Sequence, residues 1–127
     1  MFYFEFGIVS NNAPIGIFDS GMGGLTIYRA VRRALPDESI LYLGDGKNCP
    51  YGERPVEEIR QLSEAAVELL LQRGCKLIVV ACNTATAAAI DTLRAKYPHI
   101  PIVGTEPAVK PAAQATRSGV VGVLATA

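Results

Sequence analysis

Along this chain, short runs of consecutive apolar residues alternate with longer stretches whose apolar positions recur every three or four residues. The first pattern predicts buried strands and the second amphipathic helices. Pro14-Ile-Gly-Ile-Phe18 is an apolar run ending in Asp19-Ser20-Gly21, a strand entering a turn. Gly24 to Leu35 places Tyr28, Val31 and Leu35 on one stripe and stops at Pro36-Asp37, which predicts a helix. Ile40 to Leu43 is a second strand, broken by Gly44-Asp45-Gly46. Pro55 suits the first turn of a long helix. That helix buries Ile59, Leu62, Ala66, Leu69 and Leu70 and turns Glu57, Glu58, Arg60, Gln61, Glu64 and Glu68 to water.

Gly74 ends that helix, and Lys76 to Ala81 follows as a strand that is apolar after its first residue. Apolar on both faces, it suits the centre of a parallel sheet covered on each side. Asn83 to Tyr97 returns to helix, rich enough in alanine for its backbone to approach the sheet closely, and Pro98 stops it. Ile100 to Gly104 and Gly119 to Leu124 read as two further strands, separated by a helix over Ala108 to Thr116. Five strands alternating with four helices predict an α/β fold: a mostly parallel sheet flanked by helices, an αβα sandwich.

Composition narrows this picture. At 127 residues, one compact domain is the expectation. Half the residues are apolar and 19% are charged, which allows a sizeable core and argues against disorder. Twelve basic residues balance twelve acidic ones without runs of either sign, so neither nucleic acid nor an anionic membrane is indicated as partner. No Lys or Arg precedes the aromatic stretch at the N-terminus, so it does not read as a secretory signal. No apolar run approaches the ~20 residues of a membrane span. Cys49, Cys75 and Cys82 leave an odd thiol in any pairing and match no zinc spacing. A reducing cytoplasm fits this usage.

In open parallel sheets, ligands bind beyond the C-terminal ends of the strands. Here those ends read Asp19-Ser20-Gly21-Met22-Gly23-Gly24, Gly44-Asp45 onward to Pro50-Tyr51-Gly52, Cys82-Asn83-Thr84, Gly104-Thr105-Glu106 and Ala125-Thr126-Ala127. The glycine loop is no P-loop, lacking Gly-Lys-Ser/Thr, and its glycines miss the dinucleotide fingerprint. It reads either as a tight strand-to-helix connection or as backbone N–H groups that seat a carboxylate.

Cys82, between a buried strand and a helix start, reads either as a small core residue or as a thiol activated by the helix terminus. An ordinary thiol, with a pKa of ~8.5, needs ~2 kcal/mol to ionise at neutral pH. A helix dipole supplies ~0.3–1 kcal/mol, so full ionisation needs another partner. His99 follows a helix-stopping proline on the far side of its strand, which disfavours a Cys/His hydrolase. Asp45 suits the capping of a turn.

Three segments together resemble the successive signatures of the glutamate racemases. They are Ile17-Phe-Asp-Ser-Gly-Met-Gly-Gly24, Gly44-Asp45 through Cys49-Pro-Tyr-Gly52, and Val80-Ala-Cys-Asn-Thr-Ala85; Gly122-Val-Leu-Ala-Thr126 fits a fourth. The likeness runs from about Pro14 to the last residue. It implies cofactor-independent interconversion of L- and D-glutamate in the cytoplasm, supplying peptidoglycan synthesis and so cell-wall biogenesis and cell shape. Cys82 would be the first of two catalytic thiols, with Asp19 assisting its proton transfer. Ser20 and the backbone of Pro50, Tyr51 and Gly52 would contact the substrate, while Asn83, Thr84 and Thr126 would hold its carboxylates. The resemblance implies neither pyridoxal phosphate nor a metal, and it is compatible with a homodimer.

In that family the second thiol belongs to a Gly-Cys-Thr-His segment, which these 127 residues lack. The implied organisation is an N-terminal extension (1–13), a first lobe carrying Cys82 (14–105) and the incomplete start of a second lobe (106–127). The expectation is a truncated racemase, inactive alone, with apolar surface exposed where the second lobe belongs. Two alternatives stand beside it: a related racemase acting on aspartate or a similar amino acid, and a non-catalytic anion-binding α/β module.

Overall fold

The computed structural model describes residues 12–125. Its elements alternate in the predicted order: β1 (Ile15–Asp19), α1 (Leu25–Ala34), β2 (Ile40–Gly44), α2 (Val56–Gln72), β3 (Leu77–Val80), α3 (Asn83–Lys96), β4 (Ile102–Gly104) and α4 (Val109–Ala115). The four strands form one parallel sheet in the order β2-β1-β3-β4. β1 therefore lies between β2 and β3, pairing Ile15 with both Ile40 and Leu77.

The period-2 alternation of the strands divides the core into two layers. Phe18, Ile78, Val80 and Ile102 face α2 and α3, where Val67, Leu70, Ala85, Ala89 and Leu93 complete a closed cluster. Ile15, Ile17, Val79 and Ala81 face the other way, against Ile27, Tyr28 and Val31 of α1. The small side chains Ala85 and Ala89 are fully buried, which is how the alanine-rich α3 approaches the sheet. Arg60 Nε donates to the Ala88 carbonyl at 2.9 Å and ties α2 to α3. Gly74, with φ +79°, takes the left-handed conformation that ends α2 and admits the turn into β3.

Several expectations need correction. Gly119 to Leu124 forms no strand: Val120, Val123 and Leu124 are exposed, and no strand among the described residues offers them a ladder. Alternating apolar residues allow a strand but cannot supply its partner. Leu69 is exposed, whereas Ser63 and Val67 join Ile59, Ala66 and Leu70 on the buried stripe of α2. Ser63 is tolerated there because its hydroxyl donates to the Ile59 carbonyl at 2.7 Å. Leu35 caps α1 and is exposed rather than packed with Tyr28 and Val31. No helix among the described residues is long and apolar enough to cross a membrane.

Candidate active site

The connections out of β1 and β3 leave on opposite faces of the sheet, α1 on one and α3 on the other. Because β1 and β3 are neighbours, the chain leaves their C-terminal ends in opposite directions and opens a crevice, the place where open α/β sheets bind ligands. Asp19 ends β1 and Cys82 follows β3, so both sit at this split. The cleft there measures about 800 Å³ and is lined by Asp19, Cys82, Asn83 and Thr84 together with Thr105 and Glu106.

Asp19 is buried, and its Oδ2 accepts backbone N–H groups from Gly21 and Gly24, each at 3.1 Å. At least two of the glycine-loop donors are thus taken by the chain's own carboxylate. Gly24 permits this closeness, since a Cβ there would lie 2.7 Å from the Asp19 Cβ. Tyr42, on β2, donates its hydroxyl to the Gly21 carbonyl at 2.9 Å and so holds the same glycine through its next peptide group. Its pKa is pushed up to about 12, first by burial and then by the nearby Asp19 and Cys82, so Tyr42 stays a donor at neutral pH.

Cys82 is 6% exposed; it belongs to the closed core cluster and also lines the cleft. It is the N-cap of α3: the Ala85 N–H donates to Sγ at 3.4 Å, in the place an Asp or Ser oxygen usually takes. The thiol also lies 3.4 Å from the Ser20 hydroxyl, which belongs to the glycine loop. Sulfur, hydroxyl and helix terminus thus meet at the cleft, although Ser20 and Cys82 are 62 positions apart in the chain.

The remaining predicted residues divide. Asn83 and Thr84 line the cleft beside Cys82. Tyr51 is fully buried and donates its hydroxyl to Asp45 Oδ2 at 2.8 Å, a contact that drives its pKa upward together with burial. Asp45 also accepts from the Asn48 amide, so it closes the turn as expected. This network shapes the loop that presents Pro50 and Gly52, neither of which lines the cleft. Thr126 lies outside the described residues. His99 is exposed at the opposite end of the sheet, before β4. Cys75 is buried at that end too, its thiol pushed up by burial, and Cys49 is exposed. Among the described residues no cluster of His, Cys, Asp or Glu could hold a metal ion.

Sequence reasoning placed Thr105 and Glu106 on the rim without assigning them to the site, and it missed Tyr42. The rim position at a strand's C-terminal end was the available signal for Thr105. Nothing local marked Tyr42, whose role depends on β2 lying beside β1.

Comparison with known proteins agrees with this geometry. A glutamate racemase of Ectopseudomonas mendocina is 60% identical over 116 residues, covering 91% of this chain and 44% of that protein. The glutamate racemase of Thermus thermophilus, solved with β-chloro-D-alanine, is 47% identical and superposes with a TM-score of 0.72 over 83% of this chain and 40% of its own. The Escherichia coli enzyme, solved with L-glutamate and the activator UDP-MurNAc-Ala, is 41% identical with a TM-score of 0.77, covering 84% and 41%. The chain therefore spans less than half the length of these relatives. The profile of the Asp/Glu/Hydantoin racemases matches residues 15–127, and the chain belongs to that family.

Proposed function

We propose that this cleft is one half of a glutamate racemase site, in which Cys82 exchanges the proton on Cα of glutamate. The observation that carries the reading is the meeting of Cys82 Sγ, the Ser20 hydroxyl and the Ala85 N–H at the split between β1 and β3, in a cleft shared with Asp19. An ionised sulfur there keeps the Ala85 N–H and gains the Ser20 proton, two donors that stabilise the thiolate. Asp19, held by two backbone amides, assists the proton transfer. Asn83 and Thr84, with Thr126, hold the substrate's carboxylates, while Ser20 and the backbone of Pro50, Tyr51 and Gly52 complete its contacts. Aligned donors in a cleft that sheds water stabilise the developing carbanion.

Inversion at Cα requires a base on one face and an acid on the other. Cys82 serves one face, and the second acid–base group lies outside these 127 residues, in a second lobe that 106–127 begins after a first lobe of 14–105. Glutamate is preferred over aspartate because the relatives are glutamate racemases. The reading places the enzyme in the cytoplasm, as a supplier of D-glutamate to peptidoglycan synthesis, and it permits a homodimer.

Site-resolved iodoacetamide labelling tests this, with exposed Cys49 as internal reference for the reagent. Cys82 should alkylate at neutral pH, and L- or D-glutamate should slow it more than equal aspartate. An inert or unprotected Cys82 would instead identify a non-catalytic module, and stronger protection by aspartate would reassign the substrate. The chain alone should form no D-glutamate from L-glutamate above the level of Cys82→Ala; measurable turnover would show that both groups are present.

A further inference from the structure

Thr105 follows β4 and lines the cleft beside Asn83, and its hydroxyl has one proton to give. Three acceptors compete for it: the Asn83 Oδ1 at 3.1 Å, the Val80 carbonyl at 3.3 Å and the Thr86 hydroxyl oxygen at 3.4 Å. The Val80 carbonyl is already approached by the Thr105 backbone N–H and by the Thr86 hydroxyl, each at 3.2 Å. A carbonyl has two lone pairs, and those two donors fill them. The proton of Thr105 therefore goes to Asn83 Oδ1, the nearest of the three.

Thr86 reinforces this choice. Its oxygen lies 3.3 Å from the Thr105 N–H and 3.4 Å from the Thr105 hydroxyl, so the two threonines form one small network around Val80. Gly104 keeps that network tight, since a Cβ there would lie 2.6 Å from Thr86 Cγ2. Once Oδ1 is engaged, the other end of the Asn83 amide, an NH₂ with two protons and no lone pair, is left for the cleft.

The geometry points to Thr105 as a positioning residue that locks the Asn83 amide with its NH₂ toward the cleft, making this wall select an anionic group such as a carboxylate. This rests on the functional reading above and deepens it: the residue that sets anion preference lies just past β4, 22 positions beyond the asparagine it orients. Without the Thr105 hydroxyl, the amide turns freely and presents its carbonyl oxygen, which repels a carboxylate, for part of the time.

The test uses the glutamate concentration that half-protects Cys82 from iodoacetamide, each variant being referred to its own unprotected rate. Thr105→Val, which keeps the shape and removes the hydroxyl, should raise that concentration about five- to tenfold, which corresponds to an NH₂ that faces the cleft in only about a tenth to a fifth of the chains. Thr105→Ser should restore it to within about twofold. In an Asn83→Ala background, Thr105→Val should have no further effect, because a residue acting through another loses its influence when the other is gone. If Thr105→Val does not unfold cooperatively, Thr105→Ala replaces it with the same expectation.

Equal protection in Thr105→Val and the unaltered chain overturns the inference and leaves the functional reading standing. Additive losses in the double variant also overturn it, since Thr105 would then touch the ligand directly. Absence of protection in the unaltered chain overturns the functional reading and takes this inference with it.

Discussion

The two faces of the sheet are built differently. On the α2–α3 face, Phe18, Val67, Ile78, Val80, Ala85 and Leu93 are wholly inaccessible, and the helices are joined by Arg60 and by the Glu64 and Glu68 pairs to Lys96. On the α1 face only four strand residues are buried, and α1 itself has no buried residue. Yet this face carries the glycine loop, Asp19 at the end of β1 and one wall of the cleft. One face supplies most of the packing, and the other holds the glycine loop against a thinner support. The site lies where they part.

The largest consequence concerns packing. Leu70 is 1% exposed and touches the centre of the closed cluster, so Leu70→Ala should destabilise the chain by ~2–5 kcal/mol, transfer loss plus cavity. Ile27 packs only partly against Ile15, Ile17, Val79 and Ala81, and Ile27→Ala should cost no more than ~1–1.5 kcal/mol. Urea unfolding of both variants compares the faces directly. Equal losses would mean that α1 is as firmly docked as α2 and α3, and the contrast would fall.

The same contrast explains what could be read in advance. Lys76 to Ala81 declared itself a central strand because both faces are covered, and β1 was equally plain. The helices of the closed face were legible in outline, although the stripe of α2 was turned by one position. Hydrophobicity favours Leu69 over Ser63, but the 100° step of the helix puts Ser63 in line with Ile59, Ala66, Val67 and Leu70. The fifth strand failed because pairing is tertiary, and a local pattern does not contain the neighbour. At the site, the rim could be listed from strand ends. The approach of Ser20 to Cys82 could not, since it follows from β1 lying beside β3, which the order of the chain leaves open.

A second, smaller effect probes the thin face where it meets the site. Gly24→Ala would set a Cβ 2.7 Å from Asp19 Cβ, at the end of β1, and 3.0 Å from Ala81 Cβ, just past β3, and neither backbone yields easily. The loop must shift, at a cost of ~1–3 kcal/mol, and the Gly24 N–H leaves the Asp19 carboxylate. Cys82 labelling should then lose its protection by glutamate even in chains that remain folded. An exposed glycine of the same chain, Gly46, meets nothing within 4 Å, and Gly46→Ala should leave both stability and protection unchanged. If the two variants behave alike, the close packing of the glycine loop is not what orders the site.

The smallest effect is electrostatic and belongs to the α1 face alone. Tyr42 packs edge-on against Tyr28 of α1, with ring centroids 6.3 Å apart, and its hydroxyl holds the Gly21 carbonyl. Burial, Asp19 and Cys82 raise its pKa to about 12, whereas an unfolded tyrosine titrates near 10. Between those values the unfolded chain has released the phenolic proton and the folded chain retains it, so stability falls as pH rises. The contribution is fully present below pH ~10 and is lost as pH climbs through about 12. Tyr42→Phe removes this dependence while Tyr51 and Tyr97 titrate equally in both chains and cancel. The stability difference between the unaltered chain and Tyr42→Phe should therefore shrink across that window. Its slope should lie well under the ~1.4 kcal/mol per pH unit of a whole proton, since Tyr42 is partly exposed. Urea unfolding at closely spaced pH values measures it. A difference that stays constant would mean that the phenol feels neither Asp19 nor Cys82, and that the thin face holds the glycine loop by shape alone.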